Sequence, residues 1–119
     1  MRFIVFYKPG GEATAPPSPE QLAEMGKYIE ASFKSGWLLA TDGLLPSAKG
    51  ARVRIDSGKF TVTDGPFAEA KEVIGGYAII QAKSKEEAIE YTKSFLNQAR
   101  QGESEVRQIF EASAAAPGQ

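Results

Sequence analysis

Asp64-Gly65-Pro66-Phe67-Ala68-Glu69-Ala70-Lys71-Glu72-Val73-Ile74-Gly75-Gly76-Tyr77-Ala78-Ile79-Ile80 is the stretch from which the fold can be read. Its first half holds turn formers, Asp64, Gly65 and Pro66, then Phe67 and a charged connector of Glu69, Lys71 and Glu72. Its second half opens a strand that we place over residues 74–82. From Tyr77 to Ile80 both parities are apolar, the pattern of a strand covered on both faces. A glycine pair, Gly75-Gly76, inside a strand indicates a bulge or the close approach of another backbone segment.

Immediately upstream, Ala51 to Asp56 and Lys59 to Thr63 are joined by Ser57-Gly58. A two-residue loop fixes the register of a hairpin. Asp56 then faces Lys59, Ile55 faces Phe60, Arg54 faces Thr61 and Val53 faces Val62. One face is apolar (Val53, Ile55, Phe60, Val62) and the other polar (Arg52, Arg54, Thr61, Thr63), so the pairing is self-consistent. Before the hairpin, Trp37 to Ala40 reads as a strand that turns at Asp42-Gly43.

The N-terminal Arg2 to Tyr7 is a second strand with both parities apolar. Ser18-Pro19-Glu20-Gln21 combines a cap, a first-turn proline and a capping box. It starts a helix over about residues 19–35, with Leu22, Met25, Ile29 and Phe33 on one face and Gly36 beyond its end. On the C-terminal side, Ser84-Lys85-Glu86-Glu87 is a second capping box. The helix it starts buries Ala88, Tyr91, Phe95, Ile89 and Leu96, runs to about Arg100 and stops at Gly102. Glu105 to Phe110 is a last strand. The Ala/Pro/Gly-rich segment 112–119 is expected to be a disordered tail to a single domain over residues 1–111.

The order is therefore β-α-β-hairpin-β-α-β: an α+β chain with the split βαβ pattern of ferredoxin-like folds and an inserted hairpin. That topology sets the two doubly apolar strands side by side in the centre of the sheet. Two helices cover one face only. The other face would expose Phe3, Val5 and Tyr7 or Ile4 and Phe6, a patch that a monomer rarely shows. A homodimer with sheets packed face to face is the expected solution.

Composition narrows the chemistry. The 119 residues include no cysteine and no histidine, which excludes disulfides, thiolate zinc sites, thiol nucleophiles and the side chain that most readily titrates near neutrality. Basic and acidic residues number 14 and 15 and are interspersed, so no phosphate-binding footprint forms and direct nucleic-acid binding is not expected. No apolar run is long enough for a signal core or a bilayer span, and a cytoplasmic location without membrane contact is expected. No cofactor motif or metal-ligand spacing is present, and neither a cofactor nor a metal is expected.

Six residues are candidates for a site. Asp64 either caps its own turn or serves as a pocket carboxylate, acting as base or ligand acceptor. Phe67 is an anchoring ring. Lys71, at a cleft mouth, could hold an anion. Arg52 on the polar hairpin face suits a carboxylate or phosphate clamp. Trp37 and Tyr77 are core residues that could line a pocket, and a buried Tyr77 hydroxyl would need a partner.

The run DGPFAEAKEVIGGY closely resembles the signature of the DGPF proteins, a branch of the YCII-related family in which Thr usually stands where this chain has Ala70. The resemblance extends to the N-terminal strand, Gly43-Leu44-x-Pro46, Ala51-Arg52-Val53-Arg54 and the strand after Gly76. It implies a dimeric α+β barrel. Most DGPF proteins are uncharacterised; some carry a transcription-initiation label or occur beside sigma factors. A few YCII-related proteins look enzymatic, including a dehydrochlorinase of chlorinated hydroquinones with a proposed His–Asp couple. Without histidine that couple cannot be transferred, and the resemblance leaves Asp64 as the one residue whose motif position could correspond to its aspartate.

Three readings follow. The preferred one is a small dimeric protein that binds a small molecule or a protein partner in a cleft without chemistry, in which Asp64→Asn leaves function largely intact. The second is an enzyme on a small aromatic or oxidised substrate using Asp64 with Lys71 or Tyr77. The third is a transcription-associated module reaching a sigma factor or another protein through protein contacts.

Overall fold

A computed structural model describes residues 1–10, 17–67 and 73–111. The elements are β1 (Arg2–Lys8), α1 (Pro19–Lys34), β2 (Leu38–Gly43), a 3-10 turn (Ser47–Lys49), β3 (Ala51–Asp56), β4 (Lys59–Asp64), β5 (Gly76–Gln81), α2 (Lys85–Ala99) and β6 (Glu103–Gln108). Four strands form one antiparallel sheet in the order β2-β5-β1-β6. Two doubly apolar strands thus lie in the centre, and the order is that of a ferredoxin-like α+β fold.

Cross-strand pairing assigns the faces. Phe3 pairs with Ile80 and Val5 with Ala78, so these four point to one side of the sheet. Phe3, Val5, Leu38, Ile80, Ala82 and Ala88 form the buried core, with Ile29, Trp37, Tyr91 and Val106 packed against it. This is the helix-covered side. Burial of Phe3 and Ile80, the two largest fully enclosed side chains, contributes about 1.5–3 kcal/mol each. Ile4, Phe6 and Ile79, of the opposite parity, lie on the open face and are half-buried.

Helix α1 starts as its sequence dictates. Ser18 Oγ accepts from Gln21 N–H, and Gln21 Oε1 accepts from Ser18 N–H. Gly36 follows its end at φ +87°, the left-handed conformation that glycine reaches without steric cost. The buried stripe of α1 differs from the expected one. Leu22 and Phe33 are 59% and 43% exposed, whereas Met25, Tyr28, Ile29 and Ser32 face inward. Both stripes have helical spacing; the angle at which α1 crosses the sheet selects the second. In α2, Ala88 and Thr92 are buried and Ile89 is exposed. Its N-terminus is half a capping box: Ser84 Oγ accepts from Glu87 N–H, but Glu87 Oε1 accepts from Lys83 N–H. The helix closes at Arg100, itself left-handed at φ +70°, two residues before Gly102.

The expected turn at Asp42-Gly43 is overturned. Strand β2 runs straight through it, pairing Asp42 with Tyr77 and Gly43 with Gly76, and the irregularity lies instead between Leu38 and Ala40. Ladder hydrogen bonds to β5 outweigh the local turn preference of an Asp-Gly pair. Close approach, one of the two readings of the glycine pair, is what the structure contains. A Cβ on Gly76 would come within 3.0 Å of the Asp42 carbonyl oxygen, and one on Gly75 within 3.0 Å of Pro9 Cδ.

The hairpin of β3 and β4 is a separate two-stranded sheet with the register expected from its loop. Ser57 and Gly58 both have positive φ, +50° and +80°, as this short turn requires. Its strand residues are exposed on both faces. Val53, Ile55, Phe60 and Val62 retain between 61% and 71% of their exposure.

Candidate functional site

Two candidate sites separate in space. The first is the base of the hairpin, where the motif begins. Asp64 ends β4 opposite Ala51 and is exposed. Gly65 N–H donates to the Gly50 carbonyl, and a Cβ at Gly65 would collide with the Ser47 carbonyl, so the backbone there admits only glycine. Phe67 N–H donates to Ser47 Oγ at 3.2 Å, and the Arg52 guanidinium lies over the Phe67 ring at 4.1 Å. The Gly65-Pro66-Phe67 segment thus fastens the hairpin to the Ser47–Lys49 turn. Asp64, Arg52 and Phe67 come together here in a knot of backbone and ring contacts. Lys71 lies outside the described residues.

The second site is a cavity of about 220 Å³ between the helix-covered face of the sheet and the two helices. Its lining is almost entirely apolar, with Val5, Leu38 and Ile80 from the sheet and Met25 and Ile29 from α1. Aromatic rings supply the rest. Trp37 stacks on Tyr91 with centroids 4.5 Å apart and planes 2° apart, and Tyr28 meets Trp37 edge-on at 6.4 Å. Tyr7 and Phe95 form a second edge-on pair at 5.2 Å. Ala78, Gly76 and Gly75 border it from β5 and its approach and bring little bulk there.

Asp42, Gly43 and Tyr77 border one end of the cavity through the strands, but Tyr77 pairs with Phe6 and Asp42 with Tyr77, so these two side chains lie on the open face, where the Tyr77 hydroxyl donates to Asp42 Oδ2 at 2.7 Å. Receipt of that hydrogen bond, then the carboxylate's negative charge, hold the Tyr77 phenol above its ordinary value of 10.0. Thr41 Oγ1 donates to the Tyr77 carbonyl at 2.8 Å. Tyr7, whose hydroxyl donates to the Gln101 carbonyl, is also raised, through burial that disfavours its phenolate.

Of the residues singled out in the sequence, Trp37 and Tyr77 line this cavity. Asp42, Tyr28, Tyr91 and Phe95 border it as well and are not among those candidates. In the sequence Asp42 reads as a turn residue, Tyr91 and Phe95 as the buried side of a helix, and Tyr28 lies off the expected apolar stripe. The accessible signal was that Tyr91 and Phe95, one turn apart on α2, bring two more rings to the side where Trp37 enters the sheet. Among the described residues, no group of three or more carboxylates is placed to hold a metal, and no helix is long and apolar enough to cross a membrane.

A family model described as YCII-related domain matches residues 1–113. An uncharacterised protein of Rhizobium meliloti (strain 1021) is 37% identical over 71 residues, which is 60% of this chain and 54% of that protein. The chain thus spans about half the length of the curated relative it matches.

Proposed function

The chain belongs to the YCII-related family, and from that premise we propose that it is a small-molecule-binding protein of the DGPF branch whose ligand occupies the cavity between sheet and helices. One observation carries this reading: an aromatic-lined, partly open pocket of about 220 Å³ lies between the sheet and the helices. Binding sites combine an apolar lining with a few placed polar groups, and Tyr28, Thr41 and Thr92 are among the residues that line this one. The protein acts as a homodimer in this proposal, with the open face around Ile4, Phe6 and Ile79 covered by a second copy. Asp64 is exposed and outside the cavity lining, which favours binding over Asp64-based catalysis.

The test is a native mass spectrum of protein purified from its own host, set against the denatured mass. A dimer carrying a small extra mass that is lost on denaturation is expected. An empty protein whose Trp37 fluorescence responds to no small apolar compound would overturn the proposal.

A further inference from the structure

Among the described residues that border the cavity between sheet and helices, Asp42 is the one that carries charge at neutral pH. Strand register turns its side chain away. Asp42 pairs with Tyr77 and Tyr77 with Phe6, so all three stand on the open face. What the helix-covered side offers a ligand is therefore uncharged. Its hydroxyl protons are also committed. Tyr7 donates to the Gln101 carbonyl, Thr41 to the Tyr77 carbonyl and Thr92 to the Ala88 carbonyl, while Tyr28 shares a hydrogen bond with Ser94. The backbone at the glycine pair is engaged too: Gly75 N–H donates to the Tyr7 carbonyl, and the Gly75 carbonyl accepts from Leu44 N–H.

This inventory decides between charge states. An anion would find no cation, and Tyr7, Thr41 and Thr92 hold no spare proton for it. An ammonium group would find no carboxylate. Aromatic faces attract cations, but Trp37 and Tyr91 each turn one face to the other, and stripping water from an unpaired ion costs more than a remaining face returns. An uncharged apolar body carries no such penalty and gains from the surface it removes from water. Size narrows the class further. The volume of about 220 Å³ falls below the roughly 300–1,000 Å³ of drug-sized pockets and above the about 150 Å³ that admits benzene.

We propose that the cavity takes a neutral, apolar molecule about the size of one substituted ring and discriminates against charged molecules of the same shape. This rests on the cavity's being a ligand site, and it adds the class of ligand. The short side chain of Ala78, on the helix-covered side with its partner Val5, leaves the room for it.

Trp37 is the only tryptophan and lines the cavity, so its emission reports occupancy. The full-length protein is titrated at pH 7 with ethylbenzene, 2-phenylethanol, phenethylamine and 3-phenylpropionate, which share a phenyl body and differ in polarity and charge. Saturable quenching by the two neutral probes is expected, with the ammonium and carboxylate probes roughly tenfold or more weaker. Between pH 7 and 9 an alkylamine with a lysine-like pKa of about 10.4 gains about a hundredfold in free base. Phenethylamine should therefore tighten over that range while 2-phenylethanol does not change. Ala78→Leu, checked by circular dichroism and urea midpoint, should abolish the response to the neutral probes by filling the space. A charged probe that binds at pH 7 as tightly as the neutral ones, or an amine that binds equally at both pH values, would overturn the ligand class and leave the cavity reading intact. No response to any probe at millimolar concentration, or quenching that persists in folded Ala78→Leu, would overturn both.

Discussion

Two side chains facing each other across β2 and β5, Asp42 and Tyr77, are coupled in their titration. Folding raises the Tyr77 phenol above 10.0 through the Asp42 hydrogen bond and charge, and raises Tyr7 through burial. The folded chain therefore keeps these protons when the unfolded chain has begun to release them. Stability from this source is complete below the unfolded tyrosine value of about 10 and is lost as pH rises through the raised folded values. Urea midpoints should fall above pH 10, and Asp42→Asn should lower one phenol transition in the ultraviolet absorbance titration while leaving that of Tyr7 raised. A transition for Tyr77 that ignores the substitution would show that Asp42 does not hold it. Gly65 makes the other residue-scale prediction. A methyl there meets the Ser47 backbone, so Gly65→Ala should destabilise by about 1–3 kcal/mol in urea denaturation, as overpacking does. Asp64→Asn, one residue earlier and exposed, should leave ligand binding by Trp37 fluorescence unchanged.

At the scale of elements, local signals succeed where local physics is sufficient. The capping box of α1 is complete in three dimensions because Ser18 and Gln21 need only each other. Ser18→Ala should cost about 1 kcal/mol in thermal or urea unfolding, the usual loss for a cap. The hairpin register was legible for the same reason: two turn residues at positive φ determine every pair from Ala51–Asp64 to Asp56–Lys59. Local reasoning failed at Asp42-Gly43, where a neighbouring strand claims the backbone, and at Leu22 and Phe33, where helix placement and not periodicity chooses the buried stripe. The hairpin also shows the limit of face assignment. Its apolar face is real, but Val53, Ile55, Phe60 and Val62 are exposed along the chain's own surface.

For the molecule as a whole, stability resides in the layer between sheet and helices. Ile80, 1% exposed at the centre of that layer, should cost about 2–5 kcal/mol when cut to Ala. The open face poses a separate question. If a second copy covers Ile4, Phe6 and Ile79, then Phe6→Glu should shift sedimentation from dimer to monomer with the helical circular dichroism retained. A Phe6→Glu protein that remains a dimer would place the interface elsewhere.

The sequence by itself determined the order of the elements, the central position of the two doubly apolar strands and the hairpin register. Each follows from a short-range pattern: periodicity or a turn's required φ. The tertiary structure alone decided that Asp42 and Tyr77 meet, that Trp37 stacks on Tyr91, and that the motif's Asp64 stands away from the cavity. Those outcomes depend on how far α1 rides above the sheet and on which strand closes on which. Such distances are set by the packing of side chains many positions apart in the chain.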